Sequence, residues 1–300
     1  MLDFLVWLLT NIVMAPVNLV RALAQPGAWL DWSNGESLMR FVYYGASTQF
    51  LFVVLVALLV LTALGLWRNT IMWGTVRALE GFANAVGRVV AWVGLLMVLQ
   101  QVLIVFNQRI FASADMGFGI GPTFRFDISW WSEELKLWNA MIVALCCAYT
   151  FVQRGHVRVD LLYGPASFRA KRVVDMVGAV IFMMPFTVML WLYSWYFLWR
   201  HLVTPKVSAS DPLDRLLMKA RALRWNVETI GFSPNGFNAY FLFKILLVFL
   251  TAMIFLQAVA TAYRAFLEWK EGPEAEDRWL DLDRLEAGEV EMAGPQELSH

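Results

Sequence analysis

Long apolar runs alternate with short polar segments along most of this 300-residue chain. A helix needs about 20 apolar residues to cross a bilayer, and five runs reach or approach that length. The pattern therefore predicts an all-α integral membrane protein, whose clearest spans lie at Phe41–Trp67, Val86–Arg109, Glu133–Val152, Val173–Trp199 and Phe237–Phe266.

A sixth apolar segment, Phe4–Ala24, is interrupted by Asn11 and Pro16. Its last residues, Ala22-Leu23-Ala24, have the small-x-small form of a signal-peptide cleavage site. Its start, however, carries Asp3 and no Lys or Arg, whereas signal peptides begin with positive charge. We interpret the segment as a retained helix that either crosses the membrane or lies at its interface.

The same pattern divides the chain into three regions. Residues 1–70 form an N-terminal membrane extension, residues 80–270 hold the four later spans, and residues 271–300 form an acidic tail. Because the tail is rich in charge and poor in aromatic residues, we expect it to be solvated and mobile.

The composition agrees with a membrane protein. The chain is 59% hydrophobic and only 16% charged, with a mean hydropathy of +0.57, whereas about a quarter of the residues in a soluble domain are charged. Fifteen tryptophans fit a protein that meets two membrane–water interfaces. The partners expected from composition include membrane lipids and no nucleic acid, which requires a clustered basic face.

Basic residues concentrate in two short loops, 68–88 and 153–172, which predicts that both lie in the cytoplasm. The loop 25–40 has an acidic excess and is predicted to lie outside. The topology that satisfies all three loops has six spans and both termini in the cytoplasm. The long loop 200–236 then lies outside, although it contains six Lys or Arg residues.

This long loop carries a helix signal of its own. Asp211 suits the N-cap position and Pro212 the first helical position. Apolar residues then recur at helical spacing, with Arg215, Lys219 and Arg224 elsewhere on the helical wheel. The predicted amphipathic helix either lies on anionic headgroups or docks a partner protein, and the three basic residues are the docking candidates.

Two features of the spans suggest contacts within the membrane. Trp191, Trp195 and Trp199 recur every four residues on one helix face, as in an interfacial aromatic belt or a stripe packed on a partner's helix. Gln257 is the most deeply placed polar residue, and one hydrogen bond to a neighbouring helix would satisfy it. Lys244 lies close enough to the end of its span to extend toward the headgroups.

Charges at two other helix ends have local explanations. Glu133 and Glu134 follow Ser132, which suits an N-cap, and acidic residues in a first turn complement the helix dipole. Ion pairing of these acids with Arg109, which ends the preceding span, is the alternative.

Motifs of catalysis and metal binding are missing from the sequence. It has no H-E-x-x-H, no G-x-S-x-G and no P-loop, so we expect no enzymatic activity, no catalytic or metal-binding residues and no cofactor. A membrane enzyme that uses His156 and Asp160 is the weakest hypothesis. An independent homo-oligomeric transporter or channel would need polar residues along a mid-membrane path, and the charged residues lie near the ends of the spans.

The segment after the third span, GHVRVDLLY, alternates polar and apolar residues. Gly155 suits a helix C-cap, and the polar side of the following turn is expected to face the cytoplasm. By its residues alone this is a corner between two membrane helices. Its polar and alternating positions are Gly155, His156, Val157, Arg158 and Asp160.

This corner, with Ala148–Asp160 as a whole, resembles the signature of the small permease subunit of tripartite ATP-independent periplasmic (TRAP) transporters. The similarity extends over residues 80–270. Flanking residues agree with it, namely Gly87–Trp92, Asn107–Arg109, Trp131–Glu134, Lys244 and Phe255–Gln257. The two segments before residue 70 and the length of the loop 200–236 depart from the family pattern.

The resemblance implies a four-helix small-permease core with one or two additional N-terminal helices. It implies a multi-pass scaffold subunit in the bacterial inner membrane, within a sodium-driven secondary active transporter for organic acid anions. Such a subunit braces the large permease subunit, which holds the substrate and sodium sites, and helps to dock the periplasmic substrate-binding protein. No substrate-binding residue is expected in this chain.

Overall fold

The computed structural model describes residues 2–112, 115–118, 124–155, 163–229 and 236–283. Within these residues the fold is nearly all-α, and two short antiparallel ribbons supply the only strands that are described. The helices are α1 (Leu2–Ala24), α2 (Gly27–Leu30), α3 (Gly35–Gly45), α4 (Thr48–Trp67), α5 (Asn69–Val105), α6 (Ile128–Val152), α7 (Phe168–Val177), α8 (Met184–Leu202), α9 (Leu213–Ala220) and α10 (Phe241–Glu271). The ribbons pair β1 (Asp115–Phe118) with β2 (Phe124–Asp127), and β3 (Val203–Thr204) with β4 (Arg224–Trp225).

Six helical segments are long and apolar enough to cross a membrane, which confirms the predicted multi-pass character. They are Asp3–Ala24, Thr48–Trp67, Asn69–Ile110, Ile128–Val152, Phe168–Leu202 and Phe241–Glu271. We call the end of the bundle where α10 finishes the tail end, and the end where α8 finishes the far end.

The predicted span Phe41–Trp67 is in fact two helices. The chain breaks after α3, and the hydroxyl of Ser47 accepts a hydrogen bond from the N–H of Phe50 at 3.2 Å, an N-cap that starts α4. Helix α4 has 20 residues and is about 30 Å long. It can therefore cross the bilayer alone, which leaves α3 free to pack elsewhere.

The predicted loop 68–88 is also wrong, because α5 runs through it without a break. Its 37 residues extend about 55 Å, well beyond a bilayer core. Met72, Trp73, Val76 and Ala83 are buried at helical spacing along this segment. The positive charges indicated a loop, but they lie on the outer face of a packed helix.

Helices α7 and α8 form one continuous element joined by a π-helical segment, Gly178–Met183. Pro185 lies in the first turn of α8. Proline has no N–H and its ring clashes with the preceding turn, and a π-bulge is one way in which a helix accommodates such a break. The fourth predicted span is therefore present but longer, at Phe168–Leu202.

Helix α10 is the centre of the bundle and contacts α5, α6, α7 and α8. The face that it buries is rich in small residues, Ala258, Ala260, Ala262 and Ala265, which allow helices to approach closely. A second close approach joins α5 to α6 at Gly87, where a Cβ atom would overlap the side chain of Tyr149.

The N-terminal segment is a helix, but it is mostly exposed. Helix α1 packs on α4, with the rings of Trp7 and Phe52 in edge contact at 5.3 Å. Only 6% of its most apolar window is buried. The structure thus supports a helix of membrane-spanning length whose apolar surface is largely uncovered.

The acidic tail does not begin as a mobile segment. Helix α10 continues to Glu271, and residues through Asp283 fold back onto the tail end of the bundle. The prediction is wrong for this first part of the tail. Residues 284–300 lie outside the described part of the chain.

Candidate functional site

The corner after α6 is built by a backbone motif. The N–H of Gly155 donates to the carbonyl of Thr150 at 2.9 Å, and the N–H of Arg154 donates to that of Phe151 at 3.3 Å. These two bonds form a Schellman motif. Arg154 has a φ of 58° and takes the left-handed position, so the predicted cap at Gly155 is wrong by one residue. The predicted corner residues His156, Val157, Arg158 and Asp160 lie outside the described residues.

Next to this corner, three buried charged side chains join α5 to α10. Arg264 donates from Nε to Oε1 of Glu80 at 2.7 Å and from Nη2 to Oε2 at 2.5 Å. This two-pronged geometry is the strong form of an arginine–carboxylate pair. The Nη1 atom of Arg264 lies 3.4 Å from Oε1 of Glu268, whose side chain is 1% exposed. Each buried charge is tolerated only because its partner is present.

Arg172 extends the same cluster to α7. Its Nη2 lies 2.6 Å from Glu276 and its Nη1 lies 3.5 Å from Asp175. Its Nε is 2.8 Å from Glu268, an ion pair that lacks hydrogen-bond alignment. We call this cluster the charge network, defined as Glu80, Arg172, Asp175, Arg264, Glu268 and Glu276.

The folded-back tail adds a more exposed layer of ion pairs. Asp277 pairs with Arg154, while Asp281 and Asp283 both pair with Arg88. Hydrogen bonds from Arg88 hold the pKa of Asp281 and Asp283 below the usual value for aspartate. These carboxylates are about half exposed, so each pair contributes little stability.

A cavity of about 400 Å³ lies beside the charge network. It is open on one side and is lined by parts of α5, α6, α7, the π segment and α10, and by Leu280 of the tail. Gln257 lines it and is only 4% exposed. Its Oε1 atom is buried and has no hydrogen-bond partner. The single hydrogen bond that the sequence predicted for this residue is therefore not made within the described chain.

The far end is held by aromatic packing. The Nε1 atoms of Trp195 and Trp191 donate to the carbonyls of Val42 and Gly45 at 2.8 Å. The last four carbonyls of a helix have no partner inside it, and these two bonds serve two of the four in α3. The tryptophan stripe was predicted to be an interfacial belt or a surface for a partner's helix. Both predictions are wrong for Trp195 and Trp199, because these side chains are buried inside this chain.

Gly45 is required at this contact. A Cβ atom there would overlap the ring of Trp195. Trp199 lies one turn further along and packs on Phe41 and Trp32. Its indole Nε1 is buried and has no partner in the described structure, unlike that of Trp195.

The amphipathic helix in the long loop is confirmed, but its apolar face does not lie on lipid. Leu216 and Ala220 of α9 are buried against α3. The apolar face is thus covered by the chain itself and not by lipid. Asp211 is not the N-cap, since the helix begins after Pro212 without a side-chain cap.

Asp211 instead ties Lys219 into the loop. The Nζ atom of Lys219 donates to Oδ2 of Asp211 at 2.6 Å and to the carbonyl of Lys206 at 3.0 Å. Burial alone would raise the pKa of Asp211, but Lys219 and the N–H of Ser208 hold it below the usual value. Of the three docking candidates, Arg215 is 61% exposed and Arg224 is exposed, whereas Lys219 is occupied internally.

The predicted helix-end pairs are not formed as expected. In the described structure Arg109 makes no ion pair with Glu133 or Glu134. Glu133 accepts the N–H of Phe237 at 2.8 Å, and Glu134 accepts from Gln100 at 3.1 Å. Ser132 is inside α6 and not its N-cap.

That N-cap is Asp127, which accepts the N–H of Ser129. This hydrogen bond lowers the pKa of Asp127. Lys244 does not extend to the headgroups, because it is buried and pairs with Glu228.

Sequence reasoning missed Glu80, Arg264 and Glu268. The available signal was the pair Arg264 and Glu268, spaced i, i+4 in an otherwise apolar helix. Among the described residues, no group of three or more His, Cys, Asp or Glu side chains is placed to hold a metal ion.

No protein-family model matches this chain, and neither a curated protein nor a solved structure matches it.

Proposed function

We propose that this chain is the small scaffold subunit of a sodium-driven TRAP importer for organic acid anions. It braces the large permease subunit, which binds sodium and substrate, and helps to dock the periplasmic substrate-binding protein. The chain itself is not an enzyme, binds no cofactor and lies in the bacterial inner membrane. The observation that carries the proposal is the sequence GHVRVDLLY at the corner between two apolar helices.

The use of charge in the described bundle supports a bracing role. Buried charged residues of the spanning helices, such as Arg264 and Arg172, join helices to one another. Side chains committed in this way are poorly suited to release and rebind an ion during transport. A rigid support for a moving partner needs such fixed contacts.

Two helix faces expose apolar side chains that the described chain does not cover, and these faces can contact lipid or a partner protein. On α5, Val89 and Trp92 are each 69% exposed, and the face continues through Leu96 and Leu99. In the π segment and α8, Phe182 and Phe186 are similarly exposed. Either face is long enough to pack along a helix of a larger membrane protein.

Co-purification tests the assignment. The tagged chain is expressed with its neighbouring reading frames and purified in mild detergent. We expect a large, many-helix membrane protein at equal stoichiometry. Alanine pairs at Trp92 and Leu96, and at Phe182 and Phe186, then show which face that protein covers. Recovery of the chain alone, together with solute uptake by the chain alone in liposomes, would favour the independent transporter instead.

Docking of the periplasmic protein rests on the exposed basic residues of the long loop. Charge reversal at Arg215 and Arg224 is expected to reduce substrate uptake and its sensitivity to salt, because charge steering weakens with ionic strength. Charge reversal at Arg68, an exposed residue at the tail end, is the matched control. Uptake that is unchanged in the double variant would remove the docking role.

A further inference from the structure

One asparagine lies on the uncovered side of α6, well inside the span. Helix α6 has 25 residues and is about 37 Å long. Asn139 lies roughly 17 Å from the start of this helix and roughly 20 Å from its end. The hydrocarbon core of a bilayer is about 30 Å thick. Wherever that core falls along α6, Asn139 is therefore inside it.

The side chain of Asn139 lies away from the bundle. Leu137, Ala144 and Ala148 form the face of α6 that is buried. Asn139 is exposed, and Val143, one turn further along, is 64% exposed. In a membrane this face meets lipid or another protein. An asparagine side chain is too short to reach the headgroups from this depth, as a lysine side chain can.

The amide of Asn139 makes no hydrogen bond within the part of the chain that the structure describes. Other helical asparagines bond to their own helix. Asn11 donates to the carbonyl of Trp7 at 2.8 Å, and Asn107 donates to that of Leu103 at 3.0 Å. Asn139 offers two N–H donors and a carbonyl acceptor, and lipid tails can pair with neither. Because an unpaired amide in hydrocarbon is costly, the position favours an occupant that is itself polar.

This requirement separates the α6 face from the two apolar faces described above. Trp92 and Leu96 on α5 and Phe186 on α8 are apolar and exposed, so lipid covers them as well as a protein does. At Asn139 the occupant must bring a hydrogen-bonding group into the membrane interior. Amide and hydroxyl side chains on neighbouring membrane helices supply such groups.

A different protein fits this face better than a second copy of the chain. Lys136 is exposed one turn before Asn139. Two copies that met at Asn139 would bring their Lys136 ammonium groups toward each other, and like charges repel strongly where water is scarce. Ala140 and Val143 have short side chains, which allow the helix of another protein to approach closely.

We propose that Asn139 is a hydrogen-bonding contact for a transmembrane helix of the large partner protein, which places an amide or hydroxyl group opposite it. The inference rests on the proposed function, because the partner is the large subunit of that assembly. It adds the surface of contact, which is the face of α6 that carries Lys136, Asn139 and Val143.

The ratio of the two proteins after co-purification tests this contact. The tagged full chain is expressed with its neighbouring reading frames and washed in mild detergent. Asn139→Leu, which keeps a similar volume and removes the amide, should lower retention of the large protein by about tenfold, the factor for one hydrogen bond between membrane helices. Asn11→Leu, at an asparagine that bonds its own helix, is the matched control and should retain the large protein as the wild-type chain does.

Two further measurements separate the contact from folding. Since the amide of Asn139 makes no bond in the described chain, the unfolding temperature of the purified Asn139→Leu chain should not fall. Val143→Trp, one turn along on the same face, should also lower retention. Its larger ring blocks a closely packed helix, whereas lipid adapts to it.

The outcomes distinguish this contact from the scaffold role. Absence of a large protein from the wild-type preparation would contradict both. A large protein retained equally by the wild-type chain, Asn139→Leu and Val143→Trp would overturn the contact alone and assign the face to lipid. A dimer of the chain that Asn139→Leu converts to a monomer, with retention of the large protein unchanged, would overturn it in favour of a second copy.

Discussion

The tail end and the far end of the bundle both extend the helices beyond the length that a membrane requires, but they are held by different interactions. At the tail end, buried ion pairs join α10 to α5 through Arg264 and Glu80, and to α7 through Glu268 and Arg172. At the far end, α9 packs on α3 and α3 packs on α8 through tryptophans and aliphatic residues. Indole N–H groups of α8 donate to carbonyls at the end of α3.

The difference predicts how each end responds to damage. A buried ion pair is costly to break on one side, because the remaining charge is left without a partner. Aromatic packing loses stability in proportion to the area and hydrogen bonds removed. We therefore expect abrupt effects at the tail end and graded effects at the far end.

The largest effect is expected from Arg264→Leu. It leaves Glu80 buried without a cation and Glu268 with Arg172 as its remaining cation, and loss of one partner of a buried pair costs about 3–5 kcal/mol. Thermal unfolding in detergent can be followed with a thiol-reactive dye, because Cys146 and Cys147 are free cysteines within α6. Arg169→Leu, at an exposed arginine of α7, is the control. Similar unfolding temperatures for both variants would contradict a buried network that sustains the tail end.

This contrast also marks what the sequence could predict. Apolar periodicity predicted the membrane class and the amphipathic helix, because burial of an apolar face is a local property of the pattern. It could not show that the charged segment 68–88 is a helix. Arg77 and Arg88 are typical of a cytoplasmic loop. Only the distant contact between Glu80 and Arg264 shows that this segment is a helix packed against α10.

The site was less predictable for the same reason. The sequence predicted that Trp191 and Trp195 lie on one helix face. It did not predict their partner α3, because the end of α3 lies within the apolar run that was taken as a single span. Gln257 was recognised as buried and polar. The cavity that it lines is formed by residues spread along the chain from Glu80 to Leu280, and no spacing rule brings these together.

The far end can be examined with two adjacent tryptophans. Trp195→Phe removes the N–H that serves Val42 and should destabilise the chain by about 1–3 kcal/mol, the cost of a buried acceptor left unpaired. Trp199→Phe removes an N–H that has no partner in the described structure, so it loses only ring area and should cost less than Trp195→Phe. The same dye assay measures both. Equal losses would mean that ring area, and not the hydrogen bond, holds α3.

A smaller effect is expected within the long loop. Lys219→Ala removes the principal partner of Asp211, whose side chain is 5% exposed, and should cost about 1–2 kcal/mol. Arg215→Ala removes a weaker contact of 3.6 Å at an exposed site and should change stability by at most about 0.5 kcal/mol. Local hydrogen exchange of α9 distinguishes the two. A larger effect at Arg215 would reverse the roles assigned to these residues.

The smallest effect is expected where the tail docks. The folded-state pKa of Asp281 and Asp283 is lowered by Arg88, so their contribution is fully present above the ordinary aspartate value of about 3.9. It is lost as the pH falls through the lower folded value. Because these pairs are about half exposed, each contributes little stability and weakens with salt.

Limited proteolysis measures this docking directly. Cleavage near residues 277–283 should accelerate in high salt at pH 7, and also in Asp283→Asn at low salt, whereas α10 remains protected under both conditions. The buried pairs of Arg264 are poorly screened and should hold the bundle after the tail is released. Release of the tail and unfolding of α10 at the same salt concentration would show that exposed and buried layers form one cooperative unit, against the separation argued here.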